Sequence, residues 1–463
     1  MVSLPLAILL ILPAFSLADP THIPLTRRAG NWATHTNHLA AADFARARYG
    51  FGGAALNTTK RMQRRGGSAQ GLPFVNQEGD SSYFGTVTIG TPCMQGPNIF
   101  LDTGSSDLWL ADSACNNCDR STPVYKPDTS TSFVQKSQVA TQISYGSGMV
   151  AGFVSSESVS MGNFSLTNQG FLSVEQTSEG LLSGSVSGIM GLAFVAISST
   201  QTTPFWQGLI SASQLEEPLM AFWLTRFRGG NNVQEEEPGG AFTLGGTNSS
   251  LFQGDIEFIN MAGPSTPHVL AAGWITVQGK TVNVATGDAA LAAIDTGTTL
   301  IGGPTADVDA IWAAIPGSSK VGPTMPGYFQ FPCTTTISIS IAFGGKLWPI
   351  DPADMNLGPG QGTARSMCLG GLFDLTLGSN IEANSGNPTW VVGDTFLKNV
   401  YSVFRQNPLS VGFAQLSDLA GGSGAPGAGP SVPSGAKPAS ATSTSALVSL
   451  LVVALSTAFA QLF

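Results

Sequence analysis

The chain of 463 residues carries a formal net charge of −9 on only 11 % charged residues, and its 56 Gly and 28 Pro favour turns and short strands over long helices. The charge is unevenly placed: residues 19–65 hold eight Lys/Arg against two Asp, whereas residues 66–463 hold twelve against twenty-seven Asp/Glu, a net of −15. An acidic body excludes nucleic-acid phosphates as its main partner, and a basic segment ahead of it predicts an electrostatic partner within one chain.

In chain order, residues 1–18 are apolar and end in Ser16-Leu17-Ala18, a small-x-small pattern that reads as a secretory signal; a membrane anchor is the competing reading. The body then reads as β throughout. Tyr83 to Ile89 alternates and stops at Gly90-Thr91-Pro92, Ile337 to Ile341 alternates strictly, and glycine-rich turns recur at short spacing. Brief helical patches are predicted over Phe205–Ser211, Thr305–Ile315 and Asp394–Lys398. Long β bodies with few helices fold as sandwiches or barrels. Glu235 to Glu237 reads as a solvated loop near an internal boundary. Toward the end, a Gly/Pro/Ser/Ala stretch (residues 419–445) precedes eighteen mostly apolar residues (446–463) with no basic tail. That order fits a glycosylphosphatidylinositol attachment signal with Ser434 as candidate site; a plain transmembrane anchor or a discarded tail are the alternatives.

The five cysteines are Cys93, Cys115, Cys118, Cys333 and Cys368. A secreted chain permits disulfides, with Cys115–Cys118 closing a small loop, Cys333 and Cys368 the natural second pair, and Cys93 left over. A C-x-x-C is also compatible with redox chemistry or half a zinc site, but no second C-x-x-C exists and histidine is scarce, so no metal is expected. The histidines are His22, His35, His38 and His268, three of them in the basic segment; no H-E-x-x-H is present. A nucleophilic hydrolase would have to take His268, in a polar turn, as its base. Chemistry in this chain is therefore expected to run on carboxylates. Asn163 and Asn248 stand in N-x-Ser/Thr sequons of the body and are candidate glycan sites.

A repeat organises the body. Ile99-Phe-Leu-Asp102-Thr-Gly-Ser-Ser106 recurs as Ala293-Ile-Asp295-Thr-Gly-Thr-Thr299, and each copy is followed downstream by two apolar residues and a glycine, Ile189-Met190-Gly191 and Val391-Val392-Gly393. One D-T-G is an ordinary turn; two with matching flanks, one per half, are specific. An apolar run drives each Asp inward, Gly permits a sharp turn, and the Thr and Ser/Thr hydroxyls with nearby amides are expected to hydrogen-bond the carboxylates. Two equivalent halves would bring Asp102 and Asp295 face to face, sharing one proton because both cannot ionise cheaply. One then serves as general base on water and the other as general acid on a carbonyl oxygen, hydrolysing an amide without metal, cofactor or covalent intermediate.

These motifs resemble those of the pepsin-like aspartic proteases, over roughly residues 20–418. The resemblance implies a mostly β, bilobal fold with two pseudo-symmetric, barrel-like lobes and a cleft between them: signal 1–18, propeptide 19–70, N-terminal lobe 71–232 and C-terminal lobe 233–418. It implies Asp102 and Asp295 as catalytic residues, supported by the hydroxyls of Ser105 and Thr298. Tyr145-Gly146-Ser147-Gly148 is similar to the tip of the hairpin flap that closes over substrate, and Trp109 to the tryptophan on which the flap tyrosine packs. The pairs Cys115–Cys118 and Cys333–Cys368 fit two of the family's disulfides. The basic segment fits the family's propeptide, which fills the acidic cleft and sets a cation between the carboxylates; Arg48-Tyr49 is the nearest match for that role. Lys60-Arg61 and Arg64-Arg65 look like processing sites. The implied function is an aspartic endopeptidase made as a secreted, acid-active zymogen, a monomer acting on polypeptides, inhibited by its own propeptide, and held at the cell surface by its lipid anchor. A catalytically silent peptide-binding relative and an anchored structural protein are the competing classes; intact copies of both D-T-G motifs and a short linker speak against them.

Overall fold

Alternating apolar residues between glycine turns produce a structure built mostly of strands, the fold class that the sequence predicts. The computed structural model describes residues 21–28, 41–43, 45–46, 48–49, 51, 83–92, 96–118, 122–145, 148–178, 181–182, 185–226, 236–262, 269–360, 366–377 and 388–429. The signal, the dibasic pairs between 60 and 65, Cys93, Gly146, Ser147, His268, and the tail with Ser434 lie outside the described residues.

The first half contains β1 (Thr21–Arg28), β2 (Tyr83–Thr86), β3 (Asn98–Asp102), β4 (Leu108–Asn116), β5 (Val134–Tyr145), β6 (Gly148–Met161), β7 (Phe164–Thr177), β8 (Val186–Gly191), helix α1 (Phe205–Ser211) and β9 (Leu219–Leu224). The second contains β10 (Glu236–Leu244), β11 (Phe252–Asn260), β12 (Val269–Ala272), β13 (Gly287–Ile294), β14 (Ile301–Gly303), α2 (Thr305–Ala313), β15 (Leu372–Asp374), β16 (Trp390–Val392), α3 (Asp394–Leu397), β17 (Tyr401–Gln406) and β18 (Leu409–Leu416).

The sequence repeat has a topological counterpart. In the first half the strand order is β2-β3-β8-β4-β7, and the successive pairings are antiparallel, parallel, antiparallel and parallel. In the second half the order is β12-β13-β16-β14-β15 with the same four senses. In both, the strand ending at a D-T-G motif lies parallel to the strand carrying the downstream apolar pair. The glycine after each pair is a close-approach position: a Cβ on Gly191 would meet the Ser106 backbone at 2.4 Å, and one on Gly393 the Thr298 carbonyl at 2.0 Å. The repeated glycines let each Asp-bearing loop seat on the neighbouring strand.

The halves share one sheet, in which β9 pairs with β10 and β17, β17 with β18, and β18 with β11. β1 joins it between β10 and β2. Apolar packing runs through both halves, with Trp206, Trp312 and Trp348 fully buried. The two cysteine pairs are disulfides, Cys115–Cys118 and Cys333–Cys368. The helix over Phe205–Ser211 is as predicted, and those starting at Thr305 and Asp394 end one or two residues early. Two readings need correction. The alternating run from Ile337 forms a strand only over Ile339–Ile341. Glu236 and Glu237 are not in a loop: they open β10, opposite Arg28 and Arg27, because β1 supplies the backbone partner that a local reading cannot see.

A buried ionic cluster ties the end of β9 to the second half. Arg226 donates to both oxygens of Asp354 (Nε at 3.0 and 2.9 Å) and Lys398 approaches Asp354 to 3.1 Å, while Asn399 Nδ2 donates to Asp354 at 2.9 Å. Burial pushes the Asp354 carboxyl up, but Lys398 and Arg226 outweigh it and hold it below the usual carboxylate range. The folded chain thus binds this proton more weakly than the unfolded one, so the stabilisation is complete above the ordinary carboxylate range and disappears only as pH falls through the depressed value. Asp354→Asn is expected to cost about 3 kcal/mol near neutral pH, because it strands two buried cations. The deficit should shrink in strong acid; urea unfolding across pH reads both effects, and a pH-independent deficit would contradict the ionic account.

Candidate active site

The apolar residues of β3 carry the chain into the interior and deliver Asp102, 2 % exposed, at the strand's end; those of β13 do the same for Asp295, at 0 %. Each carboxylate is held by its own turn. Gly104 N–H donates to Asp102 Oδ1 at 3.0 Å and the Ser105 hydroxyl to Oδ2. Gly297 N–H donates to Asp295 Oδ1 at 2.9 Å and the Thr298 hydroxyl to Oδ2 at 2.6 Å. Each turn also presses on the opposite acid: a Cβ on Gly104 would lie 2.6 Å from the Asp295 carboxylate, and one on Gly297 2.3 Å from Asp102 Oδ1. Only glycine leaves room for the two acids to confront one another across the halves.

The middle threonines lock this arrangement. Thr103 Oγ1 donates to the Ile294 carbonyl (2.8 Å) and accepts from Thr296 N–H (2.9 Å); Thr296 Oγ1 donates to the Leu101 carbonyl (2.7 Å) and accepts from Thr103 N–H (3.1 Å). From the motif alone these threonines are expected to support the carboxylates. Instead they cross to the other half, and the hydroxyls three residues after each Asp do the supporting. Their signal was present, since Thr stands in both copies, but the partner of each is 193 residues away. Thr103→Val removes one hydroxyl and leaves a buried amide and a buried carbonyl without their partner, so a stability loss of about 2 kcal/mol is expected in denaturant unfolding; an unchanged midpoint would count against the lock.

Residues 41–48 are helical where described, and Arg48 and Tyr49 reach the acids. Arg48 Nη2 pairs with Asp102 Oδ2, Arg48 Nη1 lies 3.2 Å from Asp295 Oδ2, and the Tyr49 hydroxyl donates to Asp295 Oδ2 at 2.8 Å. Burial would lower the Arg48 pKa, but the two carboxylates outweigh it and raise the value. Asp102 is raised above the usual carboxylate range: burial is the main cause, Asp295 adds to it, and Arg48 with the Ser105 hydroxyl opposes. Tyr49 is held protonated by burial and by the charge of Asp295.

At the other wall, Trp109 is fully buried and donates from Nε1 to the Tyr145 hydroxyl at 2.7 Å, the two rings lying 6.2 Å apart. Burial, with the charges of Asp107 and Asp102, keeps Tyr145 protonated. Tyr145 and Gly148 pair across the end of β5 and β6. Asp107, which the sequence reading passed over, is buried and accepts from Ser198 Oγ, Ser199 N–H and both donors of Thr200. It fixes the segment after the first motif and had no local signal. Asn163 is exposed at the β6–β7 turn and Asn248 half-buried, its side-chain oxygen accepting from Ser250. Among the described residues no group of three or more His, Cys, Asp or Glu is arranged to hold a metal.

Two buried carboxylates, one per topologically equivalent half and joined by reciprocal threonine bonds, define an aspartic peptidase of the pepsin-like class. The model of the eukaryotic aspartyl protease family matches residues 82–416, and the chain belongs to that family; it is an aspartic-type endopeptidase. Among its relatives, Major aspartyl peptidase 1 of Cryptococcus neoformans var. grubii is 38 % identical over 367 residues, spanning 77 % of this chain and 73 % of its own. Aspartic protease of Phaffia rhodozyma is 30 % identical over 401 residues (85 % and 91 %), and Cathepsin D of Homo sapiens 29 % over 363 residues (73 % and 82 %).

Proposed function

We propose that Asp102 and Asp295 form the catalytic dyad of an endopeptidase made as a zymogen, inhibited by its own N-terminal segment and active in acid. The observation that carries this reading is the convergence of both carboxylates on one guanidinium, Arg48, across two crossed D-T-G turns. A site that holds a cation between two acids is filled by a water molecule when the segment leaves, and the pair then carries one proton between them. The ionised carboxylate takes a proton from water, the water oxygen attacks the scissile carbonyl carbon, and the protonated carboxyl gives its proton to the carbonyl oxygen. Collapse of the tetrahedral species breaks the C–N bond as the amine nitrogen takes the proton. Ser105 and Thr298 hold the acids in register, Tyr145 and Trp109 with residues 146–148 cover the substrate, and the hydroxyl of Tyr49 blocks the water site in the silent form.

The acid dependence follows from the same contacts. Asp102 takes its proton at a less acidic pH than an ordinary carboxylate, and Arg48 then loses one of its two counter-charges; the attraction is complete above that value and weakens as pH falls through it. We assign residues 19–70 to the inhibitory segment, 71–232 and 233–418 to the two lobes, and Ser434 to lipid attachment on a secreted, surface-held, monomeric product. The test is hydrolysis of a denatured protein by the acid-treated chain with and without pepstatin. Pepstatin-sensitive cleavage is expected; peptide binding without cleavage, or cleavage indifferent to the inhibitor, would overturn the dyad reading.

A further inference from the structure

The N-terminal segment makes a second contact that the chemistry at the dyad does not require. Arg46, two residues before Arg48, is 1 % exposed, and it reaches main-chain oxygens of the second half. Its Nε and Nη2 donate to the Asp374 carbonyl at 3.2 and 2.8 Å, and Nη2 donates also to the Pro326 carbonyl at 3.0 Å. The guanidinium carbon lies 5.4 Å from the centre of the Phe373 ring, which is itself stacked on Tyr328. The remaining nitrogen, Nη1, pairs within the segment with Asp43.

Everything else about this pocket belongs to the body. Asp374 N–H donates to the Gly327 carbonyl at 2.8 Å, which clips the two acceptor-bearing turns together. Thr305, Thr376 and Leu377 hold the Asp374 carboxylate at Oδ1, and the main-chain oxygen of Asp374 is what accepts from the guanidinium. Position 327 has a φ of +81°, and a Cβ there would stand 2.4 Å from Arg46 Nη2, so a glycine makes the room. Asp374 ends β15, which lies parallel to β14 and so flanks the loop that carries Asp295. Beside it, Met325, Tyr328 and Phe373 pack on Ala42, Ala45, Tyr49 and Phe51 of the segment.

We infer that this pocket is an arginine-binding subsite of the mature cleft: the Asp374 and Pro326 carbonyls and the face of Phe373 receive a substrate arginine in the place that Arg46 holds in the silent form. The inference rests on the reading of residues 19–70 as a removable segment. Departure of the segment leaves two preoriented carbonyl oxygens and an aromatic face in an acidic body, and a planar, forked cation satisfies all three at once. The ammonium of lysine has one nitrogen where the guanidinium uses two, so arginine is favoured over lysine. Neutral isosteres gain neither the charge-assisted bonds nor the attraction to the ring.

The experiment uses the chain cut after Arg65 and peptides with a constant apolar core, in which each position within four of the cut is in turn Arg, Lys, citrulline or norleucine. At one position Arg is expected to raise kcat/KM about tenfold or more over citrulline and norleucine, with Lys between them. Phe373→Leu should lower that Arg/citrulline ratio several-fold. As a second arm, on the cut chain without substitutions, a synthetic peptide of residues 41–51 should inhibit more weakly by about the same factor when citrulline replaces Arg46. Cleavage that proceeds with an Arg/citrulline ratio near one at every position overturns the subsite and leaves the dyad standing. Absence of all hydrolysis by the cut chain would overturn the proposed function itself, and the subsite with it.

Discussion

Asp102→Asn and Asp295→Asn are each expected to reduce kcat by about 10³-fold or more while the fold persists. Asparagine preserves the shape of the carboxyl group: in each turn its one oxygen meets the glycine N–H, and its amide NH2 donates to the Ser105 or Thr298 hydroxyl, which turns from donor to acceptor. What is lost is the second acid. With one amide in the pair there is no proton to share, and either the base for water or the acid for the carbonyl is missing. The two substitutions should therefore be nearly equal in effect, and the double variant little worse than either, because the pair acts as a unit. The check is kcat on a single peptide for all three variants, with unfolding midpoints to show that the fold is intact. Activity within tenfold of the parent in either single variant would mean that the assigned acid does not take part.

The second large effect concerns latency. Arg48→Met removes the charge that spans Asp102 and Asp295 and leaves two buried acids facing a thioether. Truncating one member of a buried, hydrogen-bonded charge pair costs about 3 kcal/mol, which is roughly a hundredfold in the occupancy of the cleft by the segment. The uncut variant should therefore cleave peptides about a hundredfold faster than the uncut parent at mildly acid pH, before any processing. Tyr49 and Arg46 still hold the segment, so latency weakens without vanishing. Rates of the uncut chains, with the dibasic pairs replaced to block processing, give the comparison; equal rates would show that the segment's hold does not depend on the cation.

The candidate site was legible in the sequence because its motif repeats. Asp102 and Asp295, with Ser105 and Thr298, stand in two copies of one motif, and duplication with matching flanks separates a functional turn from an ordinary one. The fold class was readable for a related reason, since alternation and glycine spacing are local. What could not be read were partners far apart in the chain. The crossed threonines were visible as residues but not as bonds, because each hydroxyl could equally have served its neighbouring carboxylate. Arg226 and Asp354, 128 residues apart, give no local hint of a buried cluster, and Arg46 meets Asp374 across 328 residues. Glu236 and Glu237 were misread for the same reason: charged residues look like a solvated loop until β1 supplies a strand to pair with.

The central claim is that two acids, one from each half, act on water as a single unit with one proton. It is tested most directly by kcat/KM of the cut chain measured from pH 2 to 8 on an uncharged peptide. The account expects a bell in which the rate rises as the pair loses its first proton and falls as it loses the second. A rate that climbs through a single ionisation to a plateau at neutral pH would contradict it.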